Sequence, residues 1–424
     1  DRCPCVRRRV RGRAVALREL LRAADVRGAR RLHNVADARR AARRRLPSVV
    51  YDYVDGAADD ELALWRNEAA FGSVTFRPKM GSGCVSASIA SRVLGADVAV
   101  PVILAPCGLV RLLHRDGAAG VARAAASRGT VSVLSTVAGS SIEEVTSQTG
   151  ARVWFQLYAS GGIREAEMLC RRASECGVEV LVVTVDIPAL GNRERDVRHG
   201  VTPPLRVDSH NAVALGVQVF TKPRWAAELA ATGLRLARPS ARSSGPGDSA
   251  LQGRASPFSW DDIARLRAVW AGALVVKGVL SGEDGARAVD AGADAIVVSN
   301  HGGRQLDNAP ATLHALPDVG AEVGGKVDVL VDGGIRRGAH VVAALALGAR
   351  AVMIGRPYLY GLAAAGEPGV ERVVDILASE LRRCMVLLGC PSIEDLGPQW
   401  LEGLDAPVPG ARRAWPSAPH GSTA

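Results

Sequence analysis

The chain has 424 residues, 48% of them hydrophobic and 23% charged, with a net charge of +10. That balance suits a globular protein, with room for two or three average domains or one large α/β barrel. No stretch approaches the roughly 20 uninterrupted apolar residues of a spanning helix. The opening DRCPCVRRRVRGRAVALREL lacks the apolar region of a secretory signal. The basic excess is local: residues 1–45 carry 16 arginines against 4 acids, +12, which leaves −2 for the rest. A nucleic-acid groove in the body is therefore not expected. Residues 1–31 read as a mobile basic leader, either a solvated arm or a segment that touches anionic lipid or RNA. The cysteines (3, 5, 84, 107, 170, 176, 384 and 390) show no CxxC pair and no metal spacing with histidine. They point to a reduced, cytoplasmic protein without a metal site.

From residue 32 a helical extension leads to the first of eight strand-like runs. These are PVILA (101–105), TVSVLS (130–135), RVWFQLY (152–158), EVLVVTV (179–185), ALVVK (273–277), DAIVVS (294–299), DVLVD (328–332) and RAVMIG (350–355). They are continuous and rich in β-branched residues, as strands covered on both faces are. Helical stretches separate them, several ending in Gly, and Ser140-Ser141 before Glu143-Glu144 marks a capped start. Strand and helix alternating eight times predict an α/β fold, a (β/α)8 TIM barrel spanning residues 32–396, with a tail over 397–424. No GxGxxG follows any strand to favour a doubly wound sheet. One connection breaks the rhythm: residues 187–257 form a long loop after the fourth strand. Within it KPRWAAELAATGLRLARP (222–239) predicts a short basic amphipathic helix, lying on a membrane surface or packed as a lid over the barrel mouth. SARSSGPGDSALQG (240–253) is of low complexity and is expected to be mobile.

Barrel chemistry gathers where strands end. Reading those ends in order gives Ser135; Gln156 and Tyr158; Thr184 and Asp186, with Arg193 beyond; Lys277; Ser299, His301 and Arg304; Asp332-Gly333-Gly334; and Gly355-Arg356. DGGIRRG and IGRP place glycines, backbone N–H groups, Arg336 and Arg356 where barrels bind phosphate, so a phosphorylated ligand is expected. Ser135, Gln156, Thr184 and Lys277 suit the edge of a heterocycle that needs donors, acceptors and one cation. Lys277 at a flavin's N1–C2 edge would stabilise the anionic reduced ring.

SNHGGRQLD, DGGIRRG, IGRP, LPSVVYDYVDGAADD (46–60), WFQLY and TVD…GNRERD together resemble the FMN-dependent 2-hydroxy-acid dehydrogenase/oxidase family, to which glycolate oxidase, lactate oxidase and mandelate dehydrogenase belong. The resemblance runs from about Leu32 to Leu396. It implies FMN as cofactor, a small-molecule 2-hydroxy acid as substrate, oxygen or a quinone as electron acceptor, and a homotetramer or octamer. His301 would be the general base, oriented by Asp186, while the α-hydrogen leaves as hydride for flavin N5. Arg304 and Arg193 would grip the substrate carboxylate, and Tyr53 and Tyr158 its carboxylate and hydroxyl. Pro106, Cys107, Gly108, Ser135, Gln156, Thr184, Lys277 and Ser299 would contact the flavin. Asp332, Gly333, Gly334, Arg336, Gly355 and Arg356 would take its phosphate. Three positions depart from relatives. Cys107 replaces a common Thr, while Val137 and Ala189 stand where glycolate oxidase has Trp and Arg. The smaller residues favour a larger substrate side chain, aromatic or branched. The pre-mycofactocin synthase branch also resembles the C-terminal half, but it loses the Arg of HGGRQLD, which this chain keeps. A specialised oxidase of a peptide-derived or natural-product intermediate is thus the alternative. The basic leader and the long loop leave peripheral membrane contact open. A barrel kept only as a scaffold would show losses among His301, Arg304, Lys277 and Tyr158, and none is lost.

Overall fold

The computed structural model describes residues 19, 21–158, 161–200, 216–231, 255 and 257–402. Eight parallel strands close in chain order: β1 (Val102–Leu104), β2 (Ser132–Ser135), β3 (Val153–Leu157), β4 (Val180–Thr184), β5 (Ala273–Val279), β6 (Ala295–Val298), β7 (Asp328–Val331) and β8 (Ala351–Ile354). The ring shuts where Val352, Met353 and Ile354 pair with Val102, Ile103 and Leu104. Each matches one of the eight runs read from the sequence.

The continuous apolar runs follow from two separate cores. Successive strand residues point in opposite directions, so β1 sends Ile103 inward and Val102 and Leu104 outward. Inside the barrel Ile103, Val133, Trp154, Val182, Val275 and Met353 fill the lumen. Val93 and Val98, from the antiparallel hairpin 91–93/96–98, belong to the same cluster and plug its N-terminal end. The outward residues pack against the surrounding helices.

Residues 21–30 form a helix (α1), followed by α2 (Val35–Arg45), α3 (Ser48–Asp55) and α4 (Leu62–Ser73). This helical extension starts earlier than the sequence reading placed it. The proposed mobile leader ends before α1, because Ala29 is buried and Asp25, 1% exposed, takes ion pairs from Arg45, Arg115 and Arg224. A buried carboxylate with three guanidinium partners is strongly fixed. The leader's first 18 residues lie outside the described residues. At the other end Leu401–Glu402 pairs with Thr75–Phe76, so the body runs past the boundary drawn at 396, and only 403–424 of the predicted tail stays undescribed.

Between strands lie α5 (Gly117–Ser127), α6 (Ile142–Thr149) and α7 (Ile163–Glu175). The Ser141 hydroxyl accepts the Glu144 N–H, as the capping pattern predicts. The long fourth connection contains α8 (Glu194–Arg198) and α9 (Pro223–Ala231). Helix α9 packs one face on the body: Trp225 is buried with its indole N–H on the Leu112 carbonyl at 2.7 Å, and Glu228 is buried against Arg45. The rest of the predicted segment, and residues 240–253, lie outside the described residues. Helices α10 (Trp260–Val269), α11 (Gly282–Asp290), α12 (Thr312–Val323), α13 (Gly338–Ala346) and α14 (Arg356–Leu388) complete the wheel. The last is two helices joined across a kink at Ala365 and Gly366. None of the described helices is long and apolar enough to cross a membrane.

Trp154, 2% exposed, is the largest side chain in the lumen cluster. Trp154→Ala is expected to destabilise the fold by about 3–5 kcal/mol, because the closed ring cannot collapse onto the void. A urea midpoint measured by far-UV circular dichroism checks this.

Candidate active site

A cavity of about 460 Å³ opens at the C-terminal ends of the strands. Of the residues singled out above, Tyr53, Pro106, Cys107, Gly108, Tyr158, Arg193, Lys277, His301, Arg304, Asp332, Gly333, Gly334, Arg336, Gly355 and Arg356 line it. Ser135, Gln156, Thr184, Ser299 and Asp186 do not. They are buried or half-buried at the adjoining strand ends, where Asp186 and Ser299 bond the cavity-lining His301 and Lys277.

His301 sits on the turn after β6 in the left-handed region, at φ 58°, followed by Gly302 at 64° and Gly303 at 79°. Three consecutive left-handed residues fold the chain back on itself, and a side chain at Gly303 would collide with the Leu64 backbone. A histidine in this conformation is strained and is held by its surroundings. Its N–H donates to Ser299 Oγ at 3.1 Å, and ring Nδ1 lies 3.0 Å from Asp186 Oδ1. Burial pushes the His301 imidazole below its usual range, only partly countered by Asp186, while Lys277 and Arg193 add to the depression. For Asp186, burial acts upward, but His301, Lys277 and a backbone N–H together outweigh it and hold its carboxyl below the usual carboxylate value. The pair is thus a neutral imidazole whose Nδ1–H donates to a carboxylate. This leaves Nε2 as an acceptor, 3.4 Å from the Tyr158 hydroxyl. Burial raises both Tyr158 and Tyr53, so both remain neutral donors.

Two arginines converge here. Arg304 uses Nη1 on the carbonyls of Tyr53 and Gly56, both at 2.8 Å, and its guanidinium lies 5.1 Å from the Tyr53 ring centre. Arg193 donates to Gln305 at 3.4 Å, but its buried Nε has no acceptor among the described residues. An unpaired buried guanidinium N–H beside a cavity calls for an anion.

Across the cavity, Lys277 Nζ lies 2.9 Å from Asp332 Oδ2 and 2.7 Å from Ser299 Oγ. Burial alone would lower this lysine, yet the Asp332 and Asp186 carboxylates more than offset it and keep it charged. Ser135 donates to Gln156 Oε1 at 2.6 Å, which points the amide nitrogen away. That nitrogen, Thr184 Oγ1 and Asp332 Oδ1 are buried without partners. Orphaned donors and acceptors beside a fixed cation fit the polar edge of an isoalloxazine ring. On the opposite side, the N–H groups of Gly333, Gly334, Ile335 and Gly355 have no acceptor among the described residues. They form a backbone cradle suited to a phosphate. Arg356 lines the cavity and donates to the carbonyls of Val54, Gly302 and Gly56, at 3.2, 2.8 and 2.7 Å. Arg336, also on the cavity, donates to Glu68 and to its neighbour's carbonyl. Each terminal guanidinium nitrogen carries two N–H groups, so both side chains keep donors beyond these contacts.

The chain matches the model of the FMN-dependent dehydrogenase family over residues 42–403. The chain belongs to this family. It is 39% identical to an L-lactate oxidase of Nostoc sp., over 87% of this chain and 97% of that one. It is 38% identical to a peroxisomal (S)-2-hydroxyacid oxidase of Arabidopsis thaliana, over 86% and 94%. A pre-mycofactocin synthase of Mycobacterium tuberculosis is 41% identical over 86% and 93%. Among solved structures, the monotopic membrane protein (S)-mandelate dehydrogenase superposes with a TM-score of 0.80 at 37% identity, over 88% of this chain and all of that one. The protein is thus a TIM-barrel flavoenzyme that uses FMN, an oxidase or dehydrogenase of 2-hydroxy acids.

Several residues that shape the site escaped the sequence reading. Gln305 binds the carbonyls of Asp186 and Ala189 at 3.0 and 2.7 Å and so shapes the start of the fourth loop. Ile187, Leu190, Val197 and Leu109 give the cavity an apolar side. Asn67 and Asn300 exchange two hydrogen bonds, at 2.8 and 2.9 Å, behind the histidine turn. The register of Gln305, one residue after Arg304, was the one available signal.

Gly334 has φ 79°, and a side chain there would strike the Asn67 carbonyl. Gly334→Ala is expected to weaken FMN binding at least about tenfold by displacing the phosphate cradle. Titrating the apoprotein with FMN and following flavin fluorescence measures the effect.

Proposed function

We propose that the enzyme oxidises an (S)-2-hydroxy acid to the 2-oxo acid with His301 as general base. The observation that carries this reading is the His301 ring. Its Nδ1 is tied to Asp186, and its Nε2 faces a cavity that also receives Tyr158 and the unpaired Nε of Arg193. Arg193 and Arg304 hold the substrate carboxylate, which brings the hydroxyl to Nε2. His301 removes the hydroxyl proton, and Asp186 stabilises the resulting imidazolium. Tyr158 donates to the substrate oxygen and steers it toward the base. Bound FMN supplies the acceptor for the hydride that leaves the α-carbon. Lys277, charged and fixed by Asp332, offsets negative charge at the flavin edge.

The substrate side chain faces Val137, Ile187, Leu190 and Val197. Val137 packs against Gly108, where an added Cβ would come within 3.1 Å of Val137 Cγ2 and 3.0 Å of the Tyr53 hydroxyl. An apolar wall with a small residue at 137 suits a branched or aromatic 2-hydroxy acid. Similarity to the pre-mycofactocin synthase supports a second reading, a specialised oxidase of a peptide-derived intermediate. Arg304, which stands ready for a carboxylate, favours the first. Oxygen or a quinone would reoxidise the flavin, in a cytoplasmic homotetramer or octamer. Exposed Val217 and Phe220, 59% and 87% accessible near α9, support peripheral contact with a membrane.

Anaerobic mixing with a panel of 2-hydroxy acids tests the reading. The expected result is bleaching of the flavin by branched or aromatic (S)-acids; bleaching by none of them would sink it. The neutral imidazole is the active form and its conjugate acid is depressed below 6.5. The bleaching rate should therefore fall as pH drops through an apparent pKa below that value and stay flat from there to about pH 8. Val137→Trp is expected to lower kcat/KM for an aromatic acid at least about tenfold relative to a two-carbon acid, by filling the wall. Steady-state rates with both substrates give the ratio.

A further inference from the structure

A second cavity, of about 510 Å³, shares no lining residue with the active site. It lies between α1, α2 and the start of α9, the described helix deep in the fourth loop. Its floor is apolar, with Leu32, Ala41 and the buried Trp225, and its rim is basic. Arg31, Arg40, Arg44, Arg45, Lys222 and Arg224 line it against one carboxylate, Asp37.

Among the described residues the charges do not cancel. Arg40 pairs with Asp37, Arg45 with Glu228 at 2.5 Å, and Arg224 with Asp25 at 2.7 Å. Arg31, Arg44 and Lys222 have no carboxylate partner among the described residues, and Lys222 Nζ is held on the Arg44 carbonyl at 2.7 Å. Arg45 adds a second, independent sign: its side chain is 8% exposed, yet its buried Nε–H meets no acceptor. Like charges gathered around a concavity repel one another unless something negative sits between them. The volume falls within the range of small-molecule sites.

We propose that this cavity binds a small phosphate-bearing anion carrying at least two negative charges. Arginine forks and a lysine point charge are the donors such an oxyanion takes. The volume and the apolar floor leave space for a compact organic group beyond the phosphate. The ligand would join α2 to α9 and so fix the fourth loop, which also carries Arg193 near its start. This site does not depend on the reaction proposed above, because the flavin phosphate cradle lies in the other cavity.

The test uses FMN-saturated holoenzyme, so that the flavin site is already filled, titrated calorimetrically with pyrophosphate. Saturable binding of one pyrophosphate per chain is expected, with a rise in melting temperature on saturation. The double variant Arg44→Glu/Lys222→Glu should bind at least about tenfold more weakly while keeping its flavin spectrum and basal activity. The double variant Arg92→Glu/Arg171→Glu, at positions 70% and 71% exposed and outside the cavity, makes the same change in net charge and should bind as the parent does. The proposal is overturned by any of three results: no saturable binding, an equal loss in the Arg92→Glu/Arg171→Glu control, or capture by phosphatidylglycerol vesicles with none of free pyrophosphate. The last would make this face a lipid-binding surface rather than a pocket.

Discussion

The bond between His301 Nδ1 and Asp186, 3.0 Å long, is the constraint on which the rest of the site turns. It joins the ends of two strands, β4 and β6, that are not adjacent in the ring, and it sets which imidazole nitrogen can accept a proton. The strained left-handed turn around His301 brings the ring to that bond. The turn in turn depends on the Asn67–Asn300 pair and on the close approach of α4 behind Gly303. The imidazole in this position remains neutral because burial and two nearby cations oppose its protonation. The one carboxylate that could reverse this is itself buried.

A second framework holds the substrate-binding side. The carbonyls at the end of α3 take both Arg304 and Arg356, so this helix terminus acts as a fixed acceptor for the two guanidinium groups nearest the mouth. One residue before Gly56, the buried Asp55 gathers Arg39 Nε at 2.5 Å, Tyr360 at 2.7 Å, and Tyr51 and Arg195 at 3.1 Å. Burial would raise its carboxyl, but Arg39 and these neighbours hold it well below the usual range. The N-terminal extension is therefore part of the active site, because it anchors α3 against the barrel.

How much of this was legible from sequence follows from the range of the interactions. The eight strands showed themselves because burial on both faces forces an unbroken apolar run, a local property of each segment. Lys277, Asp332 and His301 showed themselves because a charged or polar residue ends such a run. The family motifs supplied the roles that spacing alone left open. What escaped was set by long-range pairing. Asp55 reads as one of several acids in VDGAADD, and nothing nearby in sequence announces that partners from residues 39, 51, 195 and 360 meet on it. Nothing beside Arg356 in the sequence announces the three carbonyls, from residues 54, 56 and 302, that the fold brings to it. The start of α1 was hidden for the same reason: its arginines look like a solvated arm, and only Asp25, buried against residues 45, 115 and 224, fixes it to the body.

Asp186→Asn, studied by anaerobic stopped-flow, tests most directly whether the Asp186–His301 pair drives catalysis. An amide can still accept the Nδ1–H bond but no longer stabilises the imidazolium. The flavin-reduction rate constant should fall at least about a hundredfold with FMN still bound, because a buried carboxylate that supports a cationic base contributes on that scale. A rate within about twofold of the parent, with an unchanged pH profile, would contradict the role given to the pair.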